Sequence, residues 1–361
     1  MLWKLLSGMD RDAFVPLVIS LIPLEPMAER IAALGIRVES LQMRRGLPSP
    51  GALITLVRLL RQFKPDLIQT WMYHADLLGA LARPLVAFSA HRPRLVWNIR
   101  QTDLDPRLTS QATRLVARLN GHISRLAPDR IICCSESARE VHRTLGYRGA
   151  ILNVIPNGFD LVHFRPDPEH RADLRMQLGL SANCPLIGLV ARFDPQKDLP
   201  NFLGAAALVL ATRSECQFLI CGRGMDSSSP VLGEWIRNAG LGNAIHLLGP
   251  RSDTPMVFAA LDILVSSSAY GEGFPNVIGE AMACGVPCVV TDVGDSGLIV
   301  DDTGITVPPR DSNALAAAIL GLLDEGPDAL ARRGSAARAR IASKYALPRI
   351  IKRYAELYQS L

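Results

Sequence analysis

The sequence predicts an α/β protein of two similar units in tandem, each a parallel sheet covered by helices, and three observations carry that prediction. Short apolar, β-branched runs alternate with longer segments of helical period. The alternation occurs twice, on either side of a strong turn signal at Asn157-Gly158. The length of 361 residues matches two domains at roughly 100 to 200 residues each.

The first series of runs predicts strands over 15–21, 36–42, 66–71, 94–99 and 130–134, with helical patterns in the intervals. The second predicts strands over 185–191, 217–221, 244–248, 262–266 and 287–291. Between them, Asn157-Gly158 turns the chain, and Pro166 and Pro168 stiffen the segment leading into the second series. The expected domains are therefore 1–157 and 158–345. The last helix, Pro348 to Tyr358, begins at a proline suited to a first helical turn, and residues 346–361 are expected to pack back on the first domain.

Composition excludes several classes. Apolar residues make up 48% and charged residues 20%, enough apolar surface for a core and unlike a disordered chain. The seven cysteines form no C-x-x-C pair and have no histidine cluster beside them, which argues against a disulfide framework or a structural zinc. No run approaches the ~18 apolar residues of a spanning helix, so a cytoplasmic protein is expected, in peripheral contact with the inner face of a membrane. The net charge of +5 is uneven: residues 1–150 hold 21 basic and 12 acidic side chains, net +9, and the remainder holds 18 and 22, net −4. Two Arg-bearing amphipathic segments, Leu53–Lys64 and Leu108–Arg125, lie in the basic half. By charge, anionic lipid, an acidic sugar and nucleic acid all suit it as partners; no aromatic-interleaved basic stripe of the RNA-binding kind is present, so no nucleic acid is expected.

The richest stretch is Ser266-Ser-Ser-Ala-Tyr-Gly-Glu-Gly-Phe-Pro-Asn-Val-Ile-Gly-Glu-Ala-Met-Ala-Cys-Gly285, which follows a strand and opens a helix. Pro275 suits the first helical turn, leaving Glu272 on a glycine-flanked loop at the carboxyl end of the strand, where open α/β sheets bind ligands. Glu280, the one charge between Val277 and Ala283, needs a partner or a ligand. A second constellation, Arg192-Phe-Asp-Pro-Gln-Lys197, again joins a strand to a helix. Its guanidinium fork and ammonium suit a diphosphate.

These residues resemble the retaining glycosyltransferases of family 4, or group 1, which have the GT-B fold of two Rossmann-like domains facing across a cleft. E-G-F-P-N-V-I-G-E at 272–280 looks like the family's E-x7-E motif and A-R-F-D-P-Q-K at 191–197 like its R-x4-K loop. V-I-P-N-G-F-D at the junction, F-L-I-C-G-R-G at 218–224, H-L-L-G-P-R at 246–251 and T-D-V-G-D at 291–295 extend the resemblance.

The resemblance implies an acceptor-binding first domain and a nucleotide-sugar-binding second domain. It implies that Arg192 and Lys197 bind the diphosphate, that Glu280 holds the ribose hydroxyls and that Glu272 contacts the transferred sugar. Gly222, Arg223 and Gly224 would wall the nucleotide, the segment from His246 to Arg251 would form the base pocket, and Gly273, Phe274, Pro275 and Asn276 would complete the donor site. The implied reaction moves a sugar from a nucleoside diphosphate sugar to a glycan or lipid-linked acceptor, without metal or other cofactor, in cell-envelope or polysaccharide assembly. A nucleotide-sugar epimerase or phosphorylase on the same fold, and a non-catalytic nucleotide-sugar-binding protein, are the alternatives.

Two departures from the family pattern stand out. After the strand 94–99 the family often presents a histidine toward the reacting sugar, whereas this chain reads Asn98-Ile-Arg100-Gln-Thr-Asp103. Arg100 and His74 are thus the candidates for the catalytic polar group of this domain, with Gln101 and Asp103 facing the acceptor. Asp103-Leu-Asp105 also matches the D-x-D manganese signature of the other large glycosyltransferase fold, a reading that its position in the first of two α/β domains disfavours. The second departure is at the start, where the helix-like Met1-Leu-Trp-Lys-Leu-Leu6 stands in place of the family's opening strand and glycine-rich loop. The expectation is a first sheet lacking its central strand, with the edges of 15–21 and 66–71 unpaired.

Overall fold

A computed structural model describes residues 1–43, 49–86, 92–102, 104 and 109–361. The chain divides into two compact units, Met1–Gly158 with Leu347–Leu361, and Phe159–Ala346.

In the first unit the strands are β1 (Leu17–Ser20), β2 (Arg37–Ser40), β3 (Leu67–Trp71), β4 (Arg94–Ile99), β5 (Arg130–Cys133) and β6 (Leu152–Val154). They form two parallel sheets, β1-β2 and β3-β4-β5-β6. Among the described residues no ladder joins β1 to β3, so both are edges. The helix Leu2–Ser7 packs against both groups, Leu5 on Val96 and Ile132, and Leu6 on Ile31 and Ile36. β4 is mostly apolar because both its faces are covered, with Arg94 at its start and Asn98 near its end as the polar exceptions. Leu95, Trp97 and Ile99 pack with Val116, Ala117 and Tyr147, and Val96 packs with Ile350 and Tyr354 of the C-terminal helix Leu347–Gln359.

Serines start the helices on these strands by offering an oxygen to an otherwise orphan N–H. Ser49 accepts from Ala52, Ser110 from Thr113 and Ser135 from Ala138. A buried histidine links two of the helices. His142 Nδ1 lies 2.7 Å from the Ala138 carbonyl and Nε2 2.8 Å from the Tyr73 hydroxyl. The ring is therefore neutral, its Nδ1–H donating to Ala138 and its Nε2 accepting from Tyr73. Burial, only partly offset by the Ala138 carbonyl, pushes its pKa down to about 4.

In the second unit β7 (Leu186–Val190), β8 (Gln217–Cys221), β9 (Ile245–Gly249), β10 (Ile263–Ser266), β11 (Cys288–Thr291) and β12 (Ile305–Val307) form one parallel sheet of order β12-β11-β10-β7-β8-β9. The chain thus winds outward from β7 through β9, returns to the other side of β7 at β10, and winds outward again. This is the doubly wound Rossmann order, and the reversal between β7 and β10 is the switch point where such sheets hold ligands. Ile187↔Ile263 and Gly188↔Leu264 set the register there.

The amino-terminal edge of this sheet is tied by Asp262. Its carboxylate accepts from Arg171 and Arg175 at 2.6 Å each and from the Leu186 N–H at 2.8 Å. Arg175, 3% exposed, also donates to four carbonyls, those of Ala260, Ser181, Ala182 and Cys184, so the buried guanidinium is fully engaged.

The ten strands expected from the sequence all form. β6 and β12 are additional, each three residues at the outer edge of its sheet, too short for a recognisable run. Pro275 requires a correction: it is the N-cap residue before the helix Asn276–Ala283 rather than part of its first turn, with extended backbone at φ −67°, ψ 114°.

Candidate active site

β9, the loops after β7, β8, β9 and β10, and the helix Asn276–Ala283 carry the candidate residues of the second unit. After β7 the chain makes a tight turn in which Asp194 accepts from the Gln196 N–H at 3.0 Å, and the 3-10 segment Pro195–Lys197 follows. Asp198, in the left-handed region at φ 45°, then starts the helix Leu199–Thr212. That sharp change of direction leaves Lys197 directed across the switch point.

Its partner comes from the β10 loop. Lys197 Nζ donates to Oε1 of Glu272, and the two side chains are only 16% and 8% exposed. The same carboxylate oxygen accepts from Ser268 Oγ at 2.6 Å. Ser267 Oγ donates to the Lys197 carbonyl at 2.7 Å and the Ala269 N–H to the Gln196 carbonyl at 2.8 Å, so the two loops are stitched side by side. Below them Gly294, at φ 62°, comes so close to the Glu272 carbonyl that a Cβ would lie 2.1 Å from that oxygen. Only glycine fits.

Arg192 lies on the outer side of the same turn, 61% exposed, with Nε 2.8 Å from Asp194 Oδ2 and Nη2 3.2 Å from Gln196 Oε1. Burial resists ionisation of Asp194, but the Arg192 bond, the Gln196 N–H and the Lys197 charge outweigh it and hold the carboxyl below its usual range. At the end of β8, Gly222 has φ 148° and backs onto the Ala191 carbonyl, where a Cβ would meet the oxygen at 1.6 Å. Arg223 and Gly224 are exposed beyond it, and the Arg223 carbonyl accepts from the Phe193 N–H at 2.9 Å, joining this loop to that of Arg192. Arg251, past β9, is paired with Asp253, Nε to Oδ1 at 2.8 Å. His246 lies within β9 with Nε2 3.0 Å from Gln217 Oε1, and burial lowers its pKa.

Gly273 accepts from the Asp295 N–H at 3.0 Å, and the buried Phe274 packs between Phe159 and Tyr345, with ring centroids 6.1 and 5.3 Å away. Asn276 opens the next helix, on which Glu280 is half-buried among buried neighbours Ile278, Gly279, Ala281 and Met282.

In the first unit Arg100 follows β4, with Nη2 donating to Asn157 Oδ1, Nη1 3.4 Å from Asn98 Oδ1 and 3.5 Å from the Tyr354 hydroxyl, and the guanidinium 5.6 Å from the Trp71 ring. Gln101 Nε2 is 3.3 Å from Thr109 Oγ1. His74, second residue of the helix Tyr73–Val86, is half-buried and its pKa is lowered by that burial. Asp103 and Asp105 lie outside the described residues.

Sequence reasoning missed Ser267, Ser268, Asp194 and the Asn98–Asn157–Tyr354 set around Arg100. A run of three serines closing an apolar strand was the available sign for the first two. Asn98, a polar residue inside the apolar run of β4, was a sign for the last.

A doubly wound sheet with a buried cation and carboxylate on its switch-point loops defines a class of nucleotide-type α/β proteins. The model of the glycosyl transferases group 1 matches residues 184–325, and that of glycosyltransferase family 4 matches residues 5–163. The lipopolysaccharide core biosynthesis mannosyltransferase LpsB of Rhizobium meliloti is 29% identical over 226 residues, 61% of this chain and 64% of the relative. An Escherichia coli UDP-Gal:alpha-D-GlcNAc-diphosphoundecaprenol alpha-1,3-galactosyltransferase is 26% identical over 280 residues, 76% of this chain and 70% of the relative. The crystal structure of Anabaena HepE in complex with UDP and glucose superposes with a TM-score of 0.82 at 26% identity, covering 100% of this chain and 95% of that one. This chain thus spans just under two thirds of the first relative's length. The chain belongs to the group 1 glycosyltransferases of the GT-B type.

Proposed function

We propose that this chain transfers a sugar, with retention, from a nucleoside diphosphate sugar to a glycan or lipid-linked acceptor. The observation that carries the reading is the buried Lys197–Glu272 pair at the β7/β10 switch point. The UDP and glucose in complex with HepE, and the diphosphoundecaprenol acceptor in the name of the Escherichia coli relative, support the donor and acceptor classes.

In this reading Lys197 and Arg192 leave their carboxylate partners for the donor's diphosphate. As the glycosidic bond breaks, negative charge concentrates on the leaving group, and fixed cations stabilise that state more than the bound donor. Glu272, released from Lys197, faces the transferred sugar; Glu280 takes the ribose hydroxyls; Gly222, Arg223 and Gly224 line the nucleotide, with Arg251 beside the base. Gly273, Phe274, Pro275 and Asn276 hold the loop that presents Glu272. For the domain 1–157, taken as acceptor-binding, Arg100 and His74 are the proposed catalytic side chains and Gln101 and Asp103 the proposed acceptor-binding ones.

Among the described residues no helix is long and apolar enough to cross a membrane. We assign the protein to the cytoplasmic side, docked peripherally on anionic lipid through one helical face. The helices Pro50–Phe63, Tyr73–Val86 and Gln111–Ile123 pack in sequence. They expose Ile54, Leu81, Leu85, Leu115 and Leu119 beside Arg58, Arg61 and Arg118. Their single acid, Asp76, is fully buried. A groove of about 500 Å³ lined by Leu53, Ile54, Val57, Arg58, Arg61, Gln62 and Leu85 crosses this face. Apolar side chains rimmed by arginine suit the boundary between headgroups and acyl chains.

Thermal-shift screening of nucleoside diphosphate sugars, followed by transfer assays with the donor that binds, tests the reading. A ligand at 100 times its dissociation constant should add about 2.7 kcal/mol of stability. A chain that no such donor stabilises overturns it.

A further inference from the structure

We propose that Ser267 and Ser268, the two residues after β10, are positioning residues for the transfer, Ser268 holding the carboxylate of Glu272 and Ser267 holding the backbone that carries Lys197. The inference rests on the donor-site reading above. Both serines are 1% exposed, so their hydroxyls must be satisfied inside the protein. They are satisfied by the two halves of one ion pair: Ser267 Oγ reaches the Lys197 carbonyl at 2.7 Å and Ser268 Oγ reaches Glu272 Oε1 at 2.6 Å.

Glu272 stands between Gly271 and Gly273, and glycines restrain a carboxylate poorly. Ser268, in contrast, is anchored from the sheet: the Thr291 hydroxyl at the end of β11 lies 2.6 Å from its carbonyl, and the next N–H, that of Ala269, is bonded across to Gln196. The hydroxyl therefore ties the Glu272 carboxylate to the ends of β10 and β11. Lys197 and Ser268 share the same Glu272 oxygen. When the diphosphate draws Lys197 away, the Ser268 hydroxyl still holds the carboxylate. Ser267 has the complementary task, since it keeps the Lys197 backbone in place while the ammonium changes partner.

Ser268→Ala, Ser268→Cys and Ser267→Ala in the full chain test this, with melting temperature as the check on folding. Turnover and donor KM are measured in transfer assays, and affinity is measured with UDP and GDP as probes by calorimetry. Ser268→Ala should lower kcat about 10- to 100-fold, the scale expected of a small misplacement at a reacting centre, and leave nucleoside diphosphate affinity as in the parent. Ser268→Cys, the same size with a weaker donor, should fall between. Ser267→Ala should weaken nucleoside diphosphate binding several-fold and lower kcat as well, because the cation it positions also stabilises the leaving group. The assignment is overturned if Ser268→Ala turns over like an active parent, or if it loses affinity as much as turnover. A parent that binds neither UDP nor GDP and transfers nothing overturns the donor-site reading as well, so the two failures are told apart by the parent alone.

Discussion

Lys197 and Glu272 meet side chain to side chain although 75 residues separate them, and the carboxylate oxygen that takes the ammonium also takes the Ser268 hydroxyl. The cation proposed to bind the diphosphate is therefore already neutralised before any donor arrives, and binding is an exchange of one anion for another. Arg192 is held in the same way by Asp194.

The exchange gives opposite outcomes for the two partners. Lys197→Ala should weaken nucleoside diphosphate binding by roughly 1.5 to 3 kcal/mol, the worth of a hydrogen bond to a charged group. Glu272→Ala should depress kcat while binding the nucleoside diphosphate as well as the parent or better, because Lys197 is then unopposed. Calorimetry with UDP and GDP, paired with steady-state kinetics, checks both; equal affinity in Lys197→Ala and the parent would count against the assignment.

Transfer should survive a chelator. In the proposed reading Arg192 and Lys197 supply the charge neutralisation that a divalent ion provides elsewhere. Activity abolished by chelation and restored specifically by manganese would reverse this view and direct attention to Asp103 and Asp105.

Binding to vesicles should track the helical face of the first unit. Cosedimentation with anionic vesicles is expected to fall steeply between low and physiological salt, since exposed charges are screened over about 8 Å at 0.15 M ionic strength. Arg58→Glu with Arg118→Glu should abolish it without changing the melting temperature. Equal binding to neutral and anionic vesicles is the outcome that removes the proposal.

A stability prediction concerns the opposite edge of the second sheet. Asp262→Ala strands the Arg175 guanidinium, 3% exposed, without its carboxylate. Breaking one side of such a buried pair costs about 3 to 5 kcal/mol. Denaturant unfolding should show that loss, with nucleoside diphosphate affinity unchanged in the folded fraction.

Acid should weaken the first unit before carboxylates titrate. The pKa of His142 falls from 6.5 to about 4 in the folded chain because burial disfavours the charged ring. The unfolded chain then takes up a proton first as the pH drops, so this contribution is whole above pH 6.5 and is lost toward pH 4, on the order of 3 kcal/mol in total. The fall between pH 6.5 and about pH 5 should be shallower in His142→Gln, followed by unfolding free energy against pH.

The strands were legible because the inner strands are covered on two faces, so each reads as a largely apolar run, as in Leu186–Val190. β6 and β12 escaped because three residues at a sheet edge leave no such run. Lys197 and Glu272 were legible as motifs, but their contact was not, since it depends on β10 lying next to β7 rather than next to β9, a fact of strand order. Ser267 and Ser268 gain meaning only from the atoms their hydroxyls reach. The hold of Asp194 on Arg192 is likewise visible only in three dimensions.

The reversal of winding between β7 and β10 also sets a timetable for synthesis. A chain growing from its amino terminus completes β7, β8 and β9, and with them Arg192, Lys197, Gly222 and Arg251, before the strand that bears Glu272 exists. Until β10 inserts along the free edge of β7, the ammonium of Lys197 has no carboxylate across from it. The proposed donor site is therefore complete only once β10 has taken its place, since that strand brings two serines and a carboxylate with it.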